Sequence, residues 1–188
     1  SVSDSHSRKN TGYPATEALE SMSELIRLAT SEGISVRAGL MCAFGCADEG
    51  AIAPQVVIDA AIRLAEAGAA EINLADTTGM AGPIQIRDLL TRVGQALPQV
   101  ALSLHCHDTG GLGLVNLFAA YEAGVRIFDV TAGGLGGCPC IEGVAGNVAT
   151  EDAVHLFAGM GVETGIDLEL YCKVVAYFEQ LLDRRLPG

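Results

Sequence analysis

The 188-residue chain carries 11 Lys and Arg against 23 Asp and Glu, a net charge of −12. That balance argues against a nucleic acid or an anionic membrane surface as partner, because both select clustered positive charge. No apolar run approaches the roughly 20 residues of a membrane span, and the opening Ser1-Val2-Ser3-Asp4-Ser5-His6-Ser7-Arg8 does not read as a signal peptide.

The elements follow one another closely. Leu19, Met22, Leu25, Ile26 and Ala29 form a helical stripe within 16–31, and 34–41 reads as a strand. Pro54 suits the first turn of a helix over 55–67 and Gly68 its stop. A strand at 71–75 ends in Asp76-Thr77-Thr78-Gly79, and a helix covers 83–97. A strand at 100–104 leads into His105-Cys106-His107-Asp108-Thr109, followed by a helix over 112–123 that stops at Gly124. A strand at 126–130 ends in the glycine run 133–137, and helices at 150–160, capped by Thr150, and 167–182 close the chain. With a further strand end at Ser1–Ser5, this gives about five strand–helix units.

Alternating strand and helix implies a parallel sheet. Polar and glycine residues gather at the strands' C-terminal ends, where barrels and open α/β sheets keep their active sites. No G-x-G-x-x-G follows a first strand, so a dinucleotide fold has little support. The pattern predicts an α/β fold of the (β/α)8 TIM-barrel type. A closed barrel needs about 250 residues, so residues 1–188 are expected to form the C-terminal part of one barrel domain, with its first strands absent. An open part-barrel leaves two unpaired parallel edges and an uncovered interior.

Residues two apart in a strand share a face, so His105 and His107 present two imidazoles together. Imidazole is the commonest metal ligand. Asn147, in a glycine-flanked loop after the last strand, offers an amide oxygen to complete the set. Two His plus oxygen suits a moderately hard divalent cation, Mg²⁺ or Mn²⁺. Cys138 ends the run Gly133-Gly134-Leu135-Gly136-Gly137, where a thiol near imidazoles can move protons. Asp76 faces the same mouth as ligand, base or orienting partner. Glu151 and Asp152 are either helix-terminus anions or site residues. Arg37, inside an otherwise apolar strand, needs either a carboxylate such as Asp76 or an anionic substrate. The other cysteines, Cys42, Cys46, Cys106, Cys140 and Cys172, are expected as reduced thiols, since they sit beside strand ends rather than in a loop-rich scaffold. A zinc knuckle from Cys42, Cys46, Cys138 and Cys140 is disfavoured by its spacing.

Taken together, Ser3-Asp4 with Lys9-Asn10, Ser35-Val36-Arg37, Cys42-Ala43-Phe44-Gly45-Cys46, Asp76-Thr77-Thr78-Gly79, His105-Cys106-His107-Asp108-Thr109 and the stretch from Gly134 through Cys138-Pro139 to Gly146-Asn147-Val148-Ala149-Thr150-Glu151-Asp152 closely resemble the hydroxymethylglutaryl-CoA lyases. The resemblance runs almost end to end, and the cysteine loop is its most specific part. It implies a TIM barrel with a divalent cation that cleaves 3-hydroxy-3-methylglutaryl-CoA into acetyl-CoA and acetoacetate. It further implies His105, His107 and Asn147 as metal ligands, Cys138 as the catalytic thiol, and Asp76 and Glu151 as active-site support. An acyl-CoA is thus the expected partner and a homodimer the expected assembly, in bacterial cytoplasm or the mitochondrial matrix. The family's first strand, with an arginine and a metal-binding aspartate, is absent here. Alternatives are a lyase for a related branched 3-hydroxyglutaryl-CoA, a Claisen-type synthase of the isopropylmalate or homocitrate kind, and an inactive fragment or scaffold.

Overall fold

The computed structural model describes residues 1–137 and 145–188. Among the described residues four strands, β1 (Arg37–Leu40), β2 (Glu71–Asp76), β3 (Ala101–Cys106) and β4 (Ile127–Asp129), form one parallel sheet in the order β1-β2-β3-β4. Between and around them run α1 (Asp4–Thr11), α2 (Ala15–Ser31), α3 (Pro54–Glu66), α4 (Pro83–Ala96), α5 (Gly113–Glu122), α6 (Thr150–Gly159) and α7 (Leu168–Leu182). Each helix from α2 to α6 packs on the next, so they lie in sequence along one side of the sheet. Sequential strand order with helices on one face is the geometry of a barrel wall. A doubly wound sheet would reverse its order and cover both faces.

Local chemistry explains the helices. Pro54 and Pro83 occupy the first turns of α3 and α4, where the missing N–H costs nothing. Val57, Ile58, Ala61 and Leu64 on α3, and Ile86, Leu89, Leu90 and Val93 on α4, make buried stripes at helical spacing. They pack on Ile72, Leu74 and Leu104 from the outer face of the sheet. Among the described residues no helix is long and apolar enough to cross a membrane.

Three expectations change. Ser1–Ser5 forms no strand of its own among the described residues: the Val2 amide donates to the Met41 carbonyl at 3.1 Å just past β1, but Ser3 caps α1, its hydroxyl accepting from the His6 amide at 3.2 Å. The hydroxyl satisfies an amide the helix leaves open, so a Ser-rich start reads as a cap. Thr150 does not cap α6. Ala149 holds that position, and the Thr150 amide instead donates to the Thr131 carbonyl at 2.8 Å. Strand β3 runs to Cys106, because β2 stays paired with it as far as Asp76↔Cys106. His105 therefore lies inside the strand and His107 just beyond it.

Residues 145–149 run between the ends of β3 and β4. Asp108 N donates to Gly146 O at 3.0 Å, Val148 N to Cys106 O at 3.2 Å, and Thr131 N to Val148 O at 3.1 Å. This threading leaves no room at Gly146, where a Cβ would stand 1.9 Å from the Gly134 carbonyl oxygen. Backbone cannot yield as a flexible side chain can. The variant Gly146→Ala should lose about 1–3 kcal/mol of stability in urea denaturation. Gly159→Ala, at the exposed end of α6 with nothing within 4 Å, should gain up to about 1 kcal/mol. Equal effects of the two would contradict this packing.

Candidate metal centre

The two imidazoles come together as strand periodicity requires: the His105 and His107 ring centroids are 5.2 Å apart, edge to face at 71°. Asn147 joins them through the threaded segment, forming an isolated antiparallel bridge with His107. Its side chain also reaches the His105 ring closely enough to influence that ring's protonation.

Each donor's state follows from its neighbours. His107 is buried, and its Nδ1 stands 2.9 Å from the Ala145 carbonyl oxygen. A carbonyl can only accept, so Nδ1 carries a proton, and in the neutral ring Nε2 is then the nitrogen free to donate a lone pair. Burial holds His105 below the ordinary imidazole range, helped by His107 and Arg37 and opposed by Asp129 and Asn147. His105 is thus suited to the neutral form a metal requires. Asn147 Nδ2 donates to the Leu135 carbonyl at 2.9 Å, which leaves Oδ1 buried with no hydrogen-bond partner among the described residues. A buried amide oxygen left open costs about 1–3 kcal/mol, a cost that a cation would remove. The donor set fits a divalent ion, although it is uncharged. Among the described residues no group of three or more His, Cys, Asp or Glu could hold a metal.

Asp76 is fully buried at the end of β2. Its Oδ1 accepts from the Met80 amide at 3.2 Å and its Oδ2 from the Ala81 amide at 3.1 Å. Burial raises its pKa, and those amides and His107 only partly offset the rise. Asn116, unremarked in the sequence, donates to the Ala81 carbonyl at 2.9 Å from within α5 and so braces this turn. A lone Asn in an apolar helix was the available signal. Glu151 belongs to the first turn of α6 but does not cap it: Oε2 accepts from the Gly133 amide at 3.1 Å, across the base of the glycine run. Cys138 lies outside the described residues, as does Cys140.

Arg37 departs from expectation. It opens β1, is exposed, and pairs with Glu71 at 2.8 Å and with Asp129 rather than with Asp76. Its place at the strand's N-terminal end keeps it from Asp76, which closes the other end of β2. Asp129 itself escaped notice, since an acidic residue in a three-residue strand carries no pattern. Cys42 and Cys46 are free thiols. Burial pushes Cys42 up to about 12. Burial also acts to raise Cys46, but hydrogen bonds from Ser3, Ser5 and nearby amides bring it below its ordinary value. Arg8, Lys9 and Arg185 pair with Asp4, Asp48 and Glu179.

Comparison with known proteins extends this picture. The HMGL-like family model matches residues 1–177. The mitochondrial hydroxymethylglutaryl-CoA lyase of Bos taurus is 40% identical over 184 residues, covering 98% of this chain and 57% of its own length. The hydroxymethylglutaryl-CoA lyase of Pseudomonas mevalonii is 42% identical over 173 residues, covering 92% and 58%. An HMG-CoA lyase structure from Acinetobacter baumannii, in complex with coenzyme A and 3-methylmalate, superposes with a TM-score of 0.93 at 34% identity, over all of this chain and 61% of that one. Relatives thus include bacterial and mitochondrial enzymes, and others named as cytoplasmic. The chain spans little more than half the length of the curated relatives it matches. With a barrel wall, paired histidines and a family match along nearly its whole length, the chain belongs to the HMGL-like family.

Proposed function

We propose that the chain supplies the cation-binding half of a hydroxymethylglutaryl-CoA lyase, cleaving 3-hydroxy-3-methylglutaryl-CoA into acetyl-CoA and acetoacetate. The observation that carries this reading is the buried Asn147 Oδ1, without a hydrogen-bond partner among the described residues, beside two paired imidazoles. Membership of the family supports it, as does a relative's structure described with coenzyme A. In this reading residues 1–188 are the C-terminal part of a single barrel domain, working as a homodimer in bacterial cytoplasm or the mitochondrial matrix.

His105 Nε2, His107 Nε2 and Asn147 Oδ1 would hold Mg²⁺ or Mn²⁺. The cation would polarise the substrate's tertiary hydroxyl and stabilise the oxyanion that develops there. Cleavage then requires three movements. A base takes the hydroxyl proton, the C–C bond breaks as the ketone of acetoacetate forms, and the released electron pair becomes the acetyl-CoA enolate, which an acid protonates. Cys138 and Asp76 are the proposed proton carriers. Burial lets Asp76 hold a proton at higher pH than an exposed carboxyl. Glu151 steadies Gly133 at the base of the glycine run, and Arg37 serves the inner face of the wall.

The chain alone leaves that inner face open and its ligands uncharged. In a coupled assay for acetoacetate with Mg²⁺ or Mn²⁺, the 188-residue chain should show little or no turnover, whereas a barrel-length protein containing it should be active. In that longer protein Cys138→Ser should cut turnover by orders of magnitude while Mn²⁺ binding persists; full turnover would remove the thiol from the mechanism. Asn147→Ala should weaken Mn²⁺ binding at least about tenfold, and Asn147→Asp should tighten it by adding ligand charge. Unchanged calorimetric affinity in both variants would exclude Asn147 as a ligand.

A further inference from the structure

The inner face of the sheet carries a polar layer that the proposed reaction does not use. Arg37 on β1 is clamped between Glu71 on β2 and Asp129 on β4. Asn73 on β2 donates to Ser103 on β3 at 2.9 Å and to Asp129 Oδ2 at 3.4 Å, while Ser103 donates to Glu71. The register places Asp129 directly opposite His105, so both side chains project to the same side. Asp129 Oδ2, the oxygen held by Arg37 and Asn73, lies 3.7 Å from His105 Nδ1.

We propose that Asp129 is the positioning residue for His105, fixing its proton on Nδ1 and directing Nε2 into the site. The proposal rests on reading His105 as a ligand. A separation of 3.7 Å is too long for a hydrogen bond but close enough for the carboxylate's charge to choose between two neutral tautomers, which differ in where the N–H dipole points. Metal-bound histidines commonly turn their second nitrogen to a carboxylate or a carbonyl. Here the two rings divide those partners, His107 facing the Ala145 carbonyl and His105 facing Asp129. Arg37, itself shared with Glu71, keeps the carboxylate from turning away. A β4 only three residues long thereby acts on a ligand carried by β3.

Nitrogen–proton correlation spectra of the four histidines in the metal-free 188-residue chain read the tautomers directly. His105 should carry its proton on Nδ1 in the unmodified chain and shift toward Nε2 in Asp129→Ala, while His107 keeps its state because its acceptor is a backbone carbonyl. A general loosening would move both rings. Mn²⁺ affinity should fall about tenfold or more, and Asp129→Glu should recover part of it. Should Asp129→Ala not fold, Asp129→Asn removes the charge alone and should give a smaller shift in the same direction. A His105 tautomer unchanged in whichever folded variant is measured overturns the proposal, as does a predominantly Nε2–H His105 in the unmodified chain. If the tautomer shifts as described but the barrel-length protein binds no Mn²⁺, Asp129 keeps its orienting role and the metal reading fails instead.

Discussion

The threading of residues 145–149 between the ends of β3 and β4 is the constraint on which the site depends. Its backbone bonds to Cys106, Asp108 and Thr131 tie the ends of β3 and β4 together. Asn147 stands beside the histidines for that reason, not by any preference of its own. The surrounding glycines follow from the same crowding: a Cβ on Gly136 would meet Asn147 Nδ2 at 2.2 Å. The glycine run is thus as much a packing requirement as a source of freedom.

A second layer of order lies in electrostatics. The outer face of the wall is an aliphatic core under the helices, and the inner face is an ion-pair and hydrogen-bond layer built on Arg37, Glu71, Asn73, Ser103 and Asp129. The ion pairs and hydrogen bonds of this layer link all four strands. The layer adjoins His105 at one end. The same residues therefore serve the wall's cohesion and the state of a candidate ligand. At the mouth of the wall, by contrast, the donors are neutral: two imidazoles and a carboxamide whose oxygen has no partner among the described residues.

Much of this was legible in the chain itself. Pro54 at the start of α3 and the glycines behind α3 and α5 are local signals, each set within one turn of helix, and they mark those elements closely. The pairing of His105 with His107 follows from a period of two and needs no tertiary knowledge. The resemblance carried by the Asp76, His105 and Gly134–Asp152 stretches led to the family that the comparisons bear out. At Ser1–Ser5 the two local signals coincide: the Val2 amide bonds to Met41 beside β1, and the bond from His6 to Ser3 starts helix α1 at once.

Sequence alone therefore determined the succession of helices and strands from α2 onward, and that two imidazoles share a face, because those properties depend on neighbours a few positions away. Tertiary structure decided what meets across the sheet. Arg37 pairs with Asp129, 92 positions on, Asn116 reaches the Ala81 turn from another helix, and Asn147 comes to rest between two strand ends. Such contacts join residues far apart in the chain, and their partners are fixed by strand register and packing, which no local pattern encodes.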